Sequence, residues 1–135
     1  MIRTETTIRV RYGETDAMGF AHHANYLSWF ELARIEMLDE LTLSYKELEK
    51  DGYFLPVLGA SLSYKQPAYF DDRLTVVCYV REKPGLRIHI NYEVLRNETL
   101  LCTGSTEHAF ISKDGQPVRP PKHVIQTFLD AMENE

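Results

Sequence analysis

The pattern of hydrophobic and polar positions changes period twice along this chain, and each change marks a new kind of element. From Thr6 to Tyr12 the residues alternate, with Ile8, Val10 and Tyr12 on one face and Thr7, Arg9 and Arg11 on the other, as in a half-buried strand. Asp16-Ala17-Met18-Gly19 cannot extend that alternation, and Gly19 takes a positive φ cheaply, so a turn is predicted there. From about Ala24 the spacing becomes helical. Tyr26, Trp29, Phe30, Ala33, Met37 and Leu41 recur every three or four residues, with Leu27, Leu32, Ile35 and Leu38 on the flanks. This helix, ending near Glu40 or Leu41, is apolar around most of its circumference and is expected to be wrapped by other structure. Ser44 stands three residues before Glu47, the capping-box spacing, and opens a short helix YKELEK closed by Gly52.

From Phe54 the period returns to two. Strands are predicted over Phe54 to Lys65, where Gly59 marks a bulge or a close backbone approach, and over Leu74 to Arg81, Leu86 to Leu95 and Thr99 to Ser112. Gln66 to Asp72, Lys83-Pro84-Gly85, Arg96-Asn97-Glu98 and Lys113-Asp114-Gly115 are the connections, and a short helix covers about His123 to Met132. Short turns between the last strands imply an antiparallel meander, and a helix segregated to one face of it is an α+β arrangement. The other face would leave Val77 and Tyr79 exposed, and a second copy of the chain is the simplest cover.

Composition narrows the class. A chain of 135 residues is one domain over residues 1–135, with 44% hydrophobic and 26% charged residues, as in a soluble globular protein. The net charge of -5 and the lack of a dense Lys/Arg tract argue against a nucleic-acid partner. No apolar run reaches membrane-spanning length and MIRTETTIRV lacks a signal peptide's apolar region, so a cytoplasmic location is expected, without membrane insertion. Cys78 and Cys102 lie in apolar, strand-like runs and read as buried reduced thiols.

Candidate chemistry gathers in one stretch, RYGETDAMGFAHHANYLSWFELAR (residues 11–34). Tyr12, Asp16, His22 and His23 precede the buried helix, where ionisable groups shift their pKa values and developing negative charge is stabilised. A metal site from Asp16, His22 and His23 is not expected, because adjacent imidazoles on a regular backbone diverge. Glu31 and Arg34, three apart on the helix, read as an internal ion pair, and His89 and His108 as structural strand residues.

The run Tyr12-x-Glu14-Thr15-Asp16-x-x-Gly19-x-x-x-His23-x-Asn25-Tyr26, continuing to Glu31-x-Ala33-Arg34, resembles the 4-hydroxybenzoyl-CoA thioesterase group, in particular its YbgC-like branch. Tyr64-x-x-Pro67 and Asp71-Asp72 extend the resemblance over most of the chain. The turn, the charge and the helix start recur together at fixed spacing, which makes the motif specific. His22 and Ala21 depart from it, standing where an aromatic residue and a valine are frequent, and this bears on acyl size.

The resemblance implies a hotdog fold, a curved antiparallel sheet wrapped around a long central helix. It also implies hydrolysis of short-chain or aromatic acyl-CoA thioesters, with no cofactor beyond the coenzyme A of the substrate. Asp16 would act as general base or as nucleophile, and His23 would orient water or pass a proton to the leaving thiolate. The amides near His23 and Ala24 would donate to the oxyanion. Tyr12 reads either as a site tyrosine or as a core aromatic at a strand end, and Gly19, His22 and Tyr26 as pocket residues. Lys65, Arg87, Arg119 and Lys122 are candidate contacts for coenzyme A phosphates, the alternative for each being a solvated surface charge. The assembly implied is a homodimer or a homotetramer built from dimers. Two other readings remain open: a hydratase or dehydratase on acyl thioesters, and a non-catalytic acyl-binding module.

Overall fold

The computed structural model describes residues 1–133. Its elements are β1 (Ile2–Arg9), a 3-10 turn (Tyr12–Glu14), α1 (Asn25–Glu40), α2 (Tyr45–Lys50), β2 (Val57–Tyr64), β3 (Arg73–Val80), β4 (Ile88–Arg96), β5 (Thr99–His108) and α3 (Lys122–Glu133). The strands form one antiparallel sheet in the order β1-β3-β4-β5-β2. The meander holds for β3, β4 and β5, whereas β2 crosses to the far edge beside β5. Gly59 falls at the predicted irregularity, where the β2–β5 register shifts.

Burial follows the alternation. Ile2, Ile8, Leu74, Val76, Cys78, Val80, Ile88, Ile90, Tyr92, Val94 and Cys102 turn one sheet face into the core, and α1, packing against β1 and β3, adds Tyr26, Trp29, Phe30, Ala33, Met37 and Leu38. Phe30 lies stacked on Tyr92 at 4.2 Å and directly over Gly104. Ser44 Oγ accepts the Glu47 N–H and caps α2, as its spacing requires.

Three expectations are corrected. Tyr12 does not continue β1: the chain turns at Val10, whose N–H bonds the Asp72 carbonyl and whose carbonyl accepts the Asp71 N–H. The helix is not apolar-buried all round, because Leu27 and Leu32 are exposed beside Ser28 and Glu31. Val77 is buried rather than exposed. It sits in register between Glu5 and Glu93, and Arg3 and Arg81 lie over the Tyr79 ring, so long charged side chains cover this face. The uncovered apolar surface lies instead along β2, where Val57, Leu58 and Tyr64 are exposed, and on the outer side of α1.

A polar chain crosses the core. Arg34 Nη1 donates to Tyr92 Oη at 3.2 Å, Tyr92 Oη and Thr106 Oγ1 lie 2.7 Å apart, and Thr106 Oγ1 meets His108 Nε2 at 2.8 Å. His108 Nδ1 faces the Pro56 carbonyl at 3.1 Å. Arg34 therefore pairs inward with Tyr92, while its partner Glu31, at 4.0 Å, is largely exposed; the expected internal ion pair is internal only at its Arg34 end. Burial, and then the Arg34 charge, push His108 down to about 4 from 6.5. Below pH 6.5 the unfolded chain takes up a proton that the native imidazole refuses until about pH 4. Stability is thus full above pH 6.5 and falls as the pH drops through that window. His108 is expected to cost about 2 kcal/mol between pH 7 and pH 5, and urea melts of wild type and His108→Gln at both values measure its share.

Candidate active site

The predicted turn closes on itself. The Asp16 N–H bonds the Phe20 carbonyl at 2.8 Å, the Gly19 N–H bonds the Asp16 carbonyl at 2.9 Å, and Gly19 has φ +84°. Within it Asp16 Oδ1 accepts the N–H groups of Met18 at 2.9 Å and Phe20 at 3.2 Å. Oδ2 has no hydrogen-bond partner among the described residues, so one carboxylate oxygen is fixed and the other is open.

After the turn, Thr15 bridges Ala21 and Phe20 bridges Tyr69, which delivers the chain to the start of α1. No side chain of the usual capping types caps this helix; its N-cap is Ala24. The Ala24 N–H, expected to be an oxyanion donor, is already taken by His22 Nδ1 at 3.2 Å. The His23 N–H has no acceptor among the described residues and is the donor left open. The imidazoles of His22 and His23 were expected to diverge. They stack at 4.1 Å, because the backbone there has not yet become helical.

Asp16, Phe20, Ala21, His23, Tyr26, Tyr64, Lys65, Gln66 and Pro67 line a cavity of about 310 Å³. The structure thus brings Asp16, His23 and Tyr26 together, with Lys65 at the same cavity. Burial pushes the Tyr26 phenol up to about 12, so it stays neutral. Gly19 shapes the turn and His22 braces the helix start, but neither lines the cavity. Tyr12 is not a core aromatic: its side chain is 76% exposed and packs edge-on against Phe70 at 5.3 Å. Arg87 is paired with Glu107, and Arg119 and Lys122 are exposed and away from the cavity.

Tyr64, Gln66 and Pro67 have no role legible in the sequence and reach the cavity from some 40 residues downstream. The nearest signal is the motif Tyr64-x-x-Pro67. Tyr64 Oη donates to the His23 carbonyl at 3.3 Å and its ring meets Tyr26 at 5.1 Å, so it steadies the helix start. Glu14, buried at 8% exposure, ties the same region from the other side. Burial pushes its carboxyl up, but the Arg11 N–H, the Arg11 guanidinium and the Trp29 indole outweigh that and hold it below the ordinary range. Cys78 and Cys102 are free and buried, with thiols pushed up by burial to about 12 and about 11. Neither is a nucleophile at neutral pH. Among the described residues no three His, Cys, Asp or Glu side chains cluster as a metal site. None of the described helices is long and apolar enough to cross a membrane.

Comparison with known proteins places the chain in a family. The acyl-CoA thioesterase YbgC of Haemophilus influenzae is 33% identical over 123 residues, covering 90% of each chain. The 1,4-dihydroxy-2-naphthoyl-CoA hydrolase of Synechococcus elongatus is 25% identical over 122 residues, 89% of this chain and 90% of that one. The crystal structure of the DHNA-CoA thioesterase from Staphylococcus aureus superposes with a TM-score of 0.90 at 35% identity, covering 99% of this chain and 95% of that one. Residues 10–128 match the family model described as the Thioesterase-like superfamily, and the chain belongs to that family, with its hotdog-type fold of a five-stranded antiparallel sheet and helices.

Proposed function

We propose that this chain is an acyl-CoA thioesterase acting on short-chain or aromatic acyl groups, with Asp16 as the reacting carboxylate. The observation that carries this reading is that Asp16, whose Oδ1 alone is tied down by the Met18 and Phe20 N–H groups, and His23, at the start of α1, line one cavity. A carbonyl seated there would place its oxygen against the amide and its carbon towards the carboxylate. Asp16 activates water, or attacks directly to give an anhydride that water opens. Either way the C–S bond breaks, and the products are a carboxylate, coenzyme A thiol and one proton. The His23 imidazole guides the water or hands a proton to the thiolate. Lys65, a cation lining the same cavity, would meet the coenzyme A portion. The chemistry uses water and these groups, with no further cofactor, and the buried reduced thiols suit a cytoplasmic setting.

The cavity walls of Phe20, Ala21, Tyr26, Tyr64 and Pro67 are apolar and aromatic, which favours a compact acyl group over a long chain. Purified protein is expected to release free thiol from benzoyl-type and short aliphatic acyl-CoAs. Tight binding of the whole panel without thiol release would instead support the non-catalytic reading.

The same reading includes a homodimer, or a tetramer of such dimers, formed through β2. This edge strand, VLGASLSY, carries no charge and no proline and is exposed along nearly its whole length. Natural edges of that kind are paired. The exposed Leu27 and Leu32 of α1 extend the apolar surface. Wild type is expected to run as a dimer or larger, and Ser61→Lys, which puts a charge near the middle of this edge strand, as a monomer. An unchanged mass by light scattering would count against β2 as the contact.

A further inference from the structure

We infer that Glu14 is a positioning residue for hydrolysis: its side chain and its carbonyl lock the Asp16 turn to the first turn of α1. The inference rests on the thioesterase reading above. Glu14 lies two residues before Asp16 and grips the helix start at several points. Its carbonyl accepts the His22 N–H at 2.7 Å and Asn25 Nδ2 at 2.7 Å. Its Oε1 accepts the Arg11 N–H at 2.7 Å, and its Oε2 faces Trp29 Nε1 at 3.2 Å and Arg11 Nη2 at 3.4 Å. Asn25 Nδ2 also reaches the His22 carbonyl at 3.1 Å, closing the knot. The two open groups of the site, the Asp16 oxygen and the His23 amide, each lie within two residues of these contacts.

The chemistry of the knot requires a carboxylate. Every neighbour of the two Oε atoms is a donor: a backbone N–H, a guanidinium and an indole N–H. A carboxylate satisfies all three, while a glutamine of the same shape turns its NH₂ against a donor whichever way it is flipped. Glu14→Gln therefore disturbs the knot without removing bulk, and Glu14→Ala leaves the buried Trp29 indole N–H unpaired.

The test compares wild type, Glu14→Gln, Trp29→Phe and the double variant by steady-state kinetics and by amide NMR. Glu14→Gln is expected to lower kcat by about 10- to 100-fold with KM within about twofold, because the reacting groups shift while the binding surface stays. Trp29→Phe is expected to lose less, and the double variant less than the product of the two, since both act through one contact. The amide signals of Met18 and Phe20, which bond Asp16, are expected to move in Glu14→Gln, and the His22 amide to exchange faster. A folded Glu14→Gln protein with wild-type kcat, or with those amides unmoved, overturns the inference. A wild type that hydrolyses no acyl-CoA sinks the thioesterase reading, and the amide signals then still decide whether Glu14 sets the Asp16 turn.

Discussion

Asp16→Asn is expected to lower thioester hydrolysis by roughly 10²- to 10⁴-fold while leaving the fold intact. The reason lies in how the carboxylate is held. Oδ1 accepts two backbone N–H groups of its own turn, and an amide oxygen can accept the same two. The turn therefore survives. What changes is the open position, where an oxygen able to take a proton or attack carbon becomes an NH₂ group with neither ability. His23→Ala is expected to be milder, because a thiolate leaves without much acid assistance and the His23 backbone amide remains. Thiol release by both variants, with their circular dichroism compared with wild type, checks this order. An Asp16→Asn protein with near-wild-type turnover would move the chemistry elsewhere.

Gly104→Ala is expected to be the most destabilising single methyl addition in the sheet. A Cβ at that position would stand 2.4 and 2.6 Å from two ring carbons of Phe30 and 3.2 Å from the Ser61 carbonyl oxygen. Phe30 has nowhere to go. It is fully buried and stacked on Tyr92, whose hydroxyl is held by Arg34 and lies 2.7 Å from Thr106 Oγ1. Overpacking against a ring so confined is expected to cost about 3 kcal/mol, a large share of a domain's stability. Phe30→Leu should relieve part of that in the double variant, so urea melts of the four proteins form a cycle with a favourable coupling. A Gly104→Ala protein within about 0.5 kcal/mol of wild type would mean that the ring yields.

What could be read in advance was whatever a burial period or a cap imposes locally. Ile88, Ile90, Tyr92 and Val94 are buried because every second residue of β4 faces the core, and Ser44 caps α2 because its oxygen is one turn from the Glu47 amide. The Asp16 turn was legible for a similar reason: Gly19 permits the φ that the closure needs. Contacts between distant segments were not legible. Alternation alone carried Tyr12 into β1, but Val10 pairs with Asp71 and Asp72 and turns the chain there. Val77 reads as exposed until Glu5 and Glu93 arrive beside it in register. The Ala24 amide was an open donor on the backbone pattern, and a side-chain conformation of His22 closed it. Gly104 carries no signal in its own strand, because its reason is a ring supplied by α1.

A crystal structure of Asp16→Asn bound to an acyl-CoA ketone analogue, with a methylene inserted between carbonyl and sulfur, would place the reacting atoms directly. The ketone oxygen is expected about 3 Å from the His23 amide nitrogen, with the position-16 side chain about 3.5 Å from the carbonyl carbon or across one water. A ketone oxygen bound away from that amide, with the position-16 side chain out of reach of the carbonyl carbon in every protomer, would contradict the catalysis proposed for this cavity.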